Sequence, residues 1–85
     1  AAPDIAVEVL SPHTSVKDQR EKLHLYERFG VKEYWIIDAA NMTLSVYSLS
    51  GGNSSYSKPA VYGPEDTFTS SVVEGFELQL AGVFR

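Results

Sequence analysis

The residues best suited to chemistry are a carboxylate and an ammonium on consecutive elements. Glu8 stands in the middle of Asp4-Ile5-Ala6-Val7-Glu8-Val9-Leu10. Alternation there puts Ile5, Val7 and Val9 on one face of a strand, with Asp4, Ala6, Glu8 and Leu10 on the other. A carboxylate among Ile, Val and Leu is costly unless it is paired, binds a cation or lies on a face open to solvent. Lys22 is the second group. On a helix expected over residues 15–29, at 100° per residue, it lies within about 20° of Phe29, about 40° of Tyr26 and about 60° of Leu25. It therefore rides on the apolar stripe expected to face the sheet. Two structural accounts stand beside a functional one: a solvent-facing Glu8, and a Lys22 that pairs with Asp18 at i, i+4 while its ammonium snorkels to the helix edge. A carboxylate and an ammonium converging on one face suit metal-assisted phosphodiester cleavage. The carboxylate holds a divalent cation, and the lysine stabilises charge on the attacking water or the phosphate.

The elements that must position this pair can be read from the chain. Pro12 breaks the first strand, Ser15 with Asp18 three residues on resembles a capping box, and Gly30 supplies the left-handed stop of the helix. Residues 33–37, Glu-Tyr-Trp-Ile-Ile, are aromatic and β-branched without alternation, which predicts a central strand covered on both faces. A turn at 38–41 joins it to an alternating strand at 42–47, forming a hairpin. Residues 48–55, with Gly51-Gly52-Asn53, form a loop, and 56–62 a weaker strand placed at an edge by Pro59. Residues 63–66 turn the chain. The tail from 67 is expected to pack as one short strand and a terminal helical turn. Tyr34 and Trp35 are expected in packing, Asp38 in turn chemistry and His13 in a loop. The order of elements gives an α/β domain whose helix crosses one face of a mixed sheet.

The 85 residues allow one small domain with a thin core; 44% are apolar and 21% charged, as in globular chains. No apolar run is long enough to span a bilayer, and no basic-then-apolar leader opens the sequence. A net charge of −4 argues against a general basic coat for nucleic acid, and the absence of cysteine excludes disulfides and thiol chemistry, which suits a cytoplasmic location. A Gly-rich phosphate loop, a G-x-S-x-G elbow and an H-E-x-x-H motif are all absent.

Three segments together carry a resemblance: Pro-Asp-Ile-Ala-Val-Glu-Val-Leu-Ser-Pro at 3–12, Asp18 and Lys22 with Tyr26, and Gly-Val-Lys-Glu-Tyr-Trp-Ile-Ile-Asp at 30–38. They resemble the Uma family of predicted restriction endonucleases, within the PD-(D/E)XK nuclease superfamily, and residues 70–78 extend the likeness. The resemblance implies a restriction-endonuclease-like mixed sheet with one main helix packed on a face. It makes Glu8 the acidic member of the E-x-K element and the Val9 carbonyl a backbone ligand for Mg²⁺ or Mn²⁺. Leu10 occupies the lysine position of that element, so Lys22 on the helix is the natural substitute. Asp4 lies about 13 Å along the strand from Glu8, too far for both to ligate one ion. The superfamily's first aspartate normally comes from an earlier strand. Residues 1–85 are accordingly expected to be the C-terminal portion of a single, N-terminally truncated domain, inactive alone, whose full-length form cleaves DNA. The unpaired first strand leads to the expectation of a homo-oligomer or swapped dimer, with no membrane partner. The alternative is a non-catalytic interaction or oligomerisation module. A nucleic-acid binder without catalysis ranks last, because the seven basic residues are scattered.

Overall fold

The aromatic run that follows the helix occupies an interior place in a four-stranded sheet. The computed structural model describes residues 3–49 and 54–84. It contains β1 (Ile5–Val9), α1 (Val16–Arg28), β2 (Glu33–Asp38), β3 (Thr43–Ser48), β4 (Ala60–Tyr62), β5 (Thr67–Thr69), β6 (Glu77–Gln79) and a 3-10 turn at Leu80–Gly82. The main sheet has the order β1-β2-β3-β4, with β1 parallel to β2 and the remaining pairs antiparallel. Strands β5 and β6 pair as a separate two-stranded sheet. This is the mixed α/β architecture expected from the order of elements. The anticipated Gly51-Gly52-Asn53 loop lies outside the described residues.

Local chemistry sets most of the boundaries. The Ser15 hydroxyl accepts a hydrogen bond from the Asp18 N–H at 3.0 Å and caps α1, and Gly30, at φ 75°, takes the left-handed conformation just after the helix. The turn between β2 and β3 is held by the Asp38 carboxylate, which accepts from the Asn41 side-chain amide at 2.8 Å and from the Asn41 N–H at 3.2 Å. Those bonds lower the Asp38 pKa. The strand expected at 56–62 is shorter than anticipated. Tyr56 forms an isolated bridge with Leu49, Pro59 lacks a donor, and regular pairing begins only at Ala60. The tail differs more, forming two strands where one was expected. Gly75, at φ 79°, makes the return possible, and Phe68 pairs with Leu78.

The two faces of β2 are covered differently. On one face Trp35 joins Leu44, Val46, Phe68 and Leu80 in a buried cluster, with Trp35 and Phe68 edge to face at 5.0 Å. On the other face Tyr34 is buried beneath α1, its ring 4.8 Å from that of Tyr26. The helix itself contributes no fully buried residue. Strand β2 is therefore covered on both sides as the sequence predicts, by an apolar core below and by tyrosines above.

Glu33 opens β2 and is 2% exposed. Its Oε1 accepts from Trp35 Nε1 and from Ser70 Oγ, both at 2.9 Å, and its Oε2 accepts from the Ser71 N–H at 2.9 Å and Ser71 Oγ at 2.6 Å. The carboxylate thus ties the strand to the segment between β5 and β6. Burial alone would push its pKa up, but the hydrogen bonds from Ser71, Trp35 and Ser70 outweigh burial and leave it lowered. A group whose pKa is lowered by folding stabilises the fold above its unfolded value and loses that contribution as pH falls through the folded one. Glu33→Ala should cost roughly 1–3 kcal/mol, because it strands several buried donors. Urea unfolding from pH 7 down to about 3 should show part of the acid-side loss of stability in the native chain and not in Glu33→Gln.

Candidate active site

Glu8 and Lys22 meet. The Lys22 ammonium donates to Glu8 Oε1 at 2.5 Å, with the Lys22 side chain 42% exposed and that of Glu8 22%. The register of β1 on β2 sets Ala6 beside Tyr34 and Glu8 beside Ile36, which puts the Glu8 side chain on the sheet face that α1 covers. The 10–15 connection turns tightly through Ser11 and Thr14, whose backbone and side chains bond to one another. It returns the chain across β1. The account of Glu8 as lying on the solvent face is thereby corrected: Glu8 is half-buried, while Val7 and Val9 on the opposite face are 51% and 63% exposed.

The helix stripe also needs correction. Leu23 and Tyr26 are half-buried, whereas Leu25 and Phe29 are exposed. Around the helix, Leu23 and Tyr26 lie about 100° and 40° to one side of Lys22, and Leu25 and Phe29 lie about 60° and 20° to the other. Lys22 is therefore at the margin of the packed face, where its stem covers the sheet and its ammonium reaches the edge strand. The ion pair that Lys22 makes among the described residues is with Glu8 and not with Asp18, whose N–H donates to Ser15 Oγ in the helix cap. The hydrogen bond to Glu8 raises the Lys22 pKa against the opposing effect of desolvation, so the group stays an ammonium throughout the neutral range.

Val9 presents its backbone to the edge of the sheet. In the parallel ladder, the Glu33 N–H donates to the Asp4 carbonyl at 3.1 Å and the Leu10 N–H donates to the Ile37 carbonyl at 2.9 Å. Even-numbered residues of β1 thus turn their peptide groups to β2, and those of Ile5, Val7 and Val9 face the open edge of the sheet. Among the described residues no strand lies beyond β1, so the Val9 carbonyl, one residue from Glu8, faces the sheet edge. Asp4 is exposed and pairs with Lys32 at 3.6 Å, away from Glu8 along the strand, and His13 is an exposed loop residue. Glu8 and the Val9 carbonyl are hard oxygen donors of the type Mg²⁺ or Mn²⁺ takes, but they form only part of a coordination shell. Among the described residues there is no group of three or more His, Cys, Asp or Glu able to hold a metal.

Two contributors were not picked out from the sequence as part of the site or its support. Glu33 gave only the signal of an acid opening an aromatic strand. Tyr34, placed in packing, also borders the pair: burial pushes its pKa up to about 12, with the Glu8 charge as the next cause.

The family model described as "Putative restriction endonuclease", Uma2, matches residues 1–81. The chain belongs to the Uma2 family. Its fold is similar to that of "a putative nuclease belonging to DUF820 from Anabaena variabilis ATCC 29413", with a TM-score of 0.77 and 24% sequence identity. The match covers 98% of this chain and 44% of that one, so this chain spans less than half the length of that structure. No curated protein matches the chain. Among the described residues, no helix is long and apolar enough to cross a membrane. In this Uma2 member, the pair is half-buried and its ammonium still reaches water, so it contributes little to stability. Lys22→Met should leave the midpoint of urea unfolding unchanged or raise it. A fall as large as that for Glu33→Ala would make the pair a structural device.

Proposed function

We propose that residues 1–85 form the C-terminal portion of a restriction-endonuclease-like domain of PD-(D/E)XK type, and that the whole protein hydrolyses phosphodiester bonds in DNA with the aid of Mg²⁺ or Mn²⁺. The observation that carries this reading is the contact of Lys22 with Glu8 across β1 and α1. The sequence motif lacks a lysine two residues after the acid, and the fold brings one to the acid from the helix. Lys22 holds Glu8 Oε1, which leaves Oε2 and the edge-facing Val9 carbonyl available to a cation, together with oxygens from outside the described residues. A bound divalent cation would polarise the phosphate and lower the pKa of a water. The Lys22 ammonium neutralises negative charge that builds on the phosphate as the bond breaks.

Plasmid nicking by a protein extended to the length of the solved relative, with Mg²⁺, Mn²⁺ or EDTA, tests the reading. Nicking should require the cation, and Glu8→Ala and Lys22→Met should each slow it by roughly 10²–10³-fold. The 85-residue chain should bind the ion weakly and cut nothing. An extended protein that cleaves no DNA or RNA substrate, or whose cleavage is indifferent to both substitutions, would overturn the assignment.

A second reading, an interaction module, is favoured by the edge position of β1 among the described residues and by the exposed Val7 and Val9 on it. On that reading the 85-residue chain self-associates through this edge. Sedimentation at micromolar concentration should then show a dimer that Val7→Lys returns to monomer, and a native monomer would exclude it.

A further inference from the structure

One ring pair joins the helix that carries Lys22 to the sheet. The helix has no fully buried residue. Tyr26, one turn beyond Lys22, lies with its ring centroid 4.8 Å from that of Tyr34, and Ala6 beside Tyr34 on β1 has only a methyl group there. The series continues across the sheet: Tyr34 stacks on Tyr47 at 6.2 Å and Tyr47 meets Tyr56 at 5.9 Å. These spacings all fall within the range of attractive ring pairs. Tyr56 then leads back to the helix. Its hydroxyl donates to the Val31 carbonyl at 2.8 Å, its N–H donates to the Glu27 carboxylate at 2.7 Å, and the Val31 N–H donates to the Tyr26 carbonyl at 3.1 Å. The circuit is closed, running from α1 through four tyrosines and back to the end of α1.

The circuit fixes helix rotation, and rotation decides whether Lys22 reaches Glu8. A turn of about 15° carries a side-chain tip ~6 Å from the helix axis through roughly 1.5 Å, enough to take the Lys22–Glu8 hydrogen bond out of range. We propose that this tyrosine circuit sets the rotation of α1, with Tyr26 and Tyr56 as positioning residues that hold the Lys22 ammonium on Glu8. The site in question is the one proposed above, but the circuit is tested through the contact itself rather than through cleavage, so either idea can fail while the other stands.

The measurement is solvent exchange of the lysine side-chain ammonium protons by ¹H–¹⁵N NMR on the full 85-residue chain. The exposed Lys17, 3.8 Å from Glu21, serves as internal reference. In the native chain and in Tyr26→Phe, which keeps the ring, Lys22 should be protected relative to Lys17. In Tyr26→Leu, which removes it, Lys22 exchange should approach that of Lys17. Tyr56→Leu, on the same face but beyond β3 from Glu8, should speed Lys22 exchange by roughly threefold or more and leave Lys17 unchanged, so the proposal stays testable if Tyr26→Leu does not fold. Protection that survives both leucine variants, or that is lost in Tyr26→Phe, would overturn it.

Discussion

Covering β2 on both faces is the constraint from which the other features follow. A strand reading Glu-Tyr-Trp-Ile-Ile-Asp has no side that water can take cheaply, so something must lie above it and something below. The chain meets the demand with two unlike layers. Below, Trp35 and its partners form a closed apolar cluster completed by β5, β6 and the 3-10 turn. Above, a helix with no fully buried residue rests on tyrosines. The lower layer supplies the cohesion. The upper one can therefore stay partly open and polar, which is the setting a paired carboxylate and lysine require.

How far the sequence revealed this depended on the range of each interaction. The capped helix, its glycine stop, the hairpin after β2 and the turn at 63–66 were legible because each is decided within a few residues. The approach of Lys22 to Glu8 was legible because they lie on consecutive elements joined by a short loop. The rotation of the helix was legible only in part: hydrophobicity favoured a stripe through Tyr26, Leu25 and Phe29, whereas Tyr26 and Leu23 took the sheet and left Leu25 and Phe29 exposed. The pairing of β5 with β6 and the bonds from Ser70 and Ser71 to Glu33 also escaped. The Glu33 contacts span 37 or more residues, and no local pattern encodes them.

Two of the carboxylates, half-buried Glu8 and buried Glu33, show how environment separates roles. Glu33 has both oxygens engaged by four donors, sits in the core and has no capacity left for a ligand. Its charge is matched by hydrogen bonds alone, an arrangement that rewards rigidity and penalises removal of any partner. Among the described residues Glu8 has a single side-chain donor on one oxygen, a position beside the sheet edge and the edge-facing carbonyl of Val9 as neighbour. A protein seeking only stability would gain more from an apolar residue at position 8, because an ion pair is often matched or bettered by packed hydrophobic groups of similar volume. The partial engagement of Glu8, set against the complete satisfaction of Glu33 one strand away, is the physical reason the proposed chemistry falls at the edge of the sheet and the architecture at its centre.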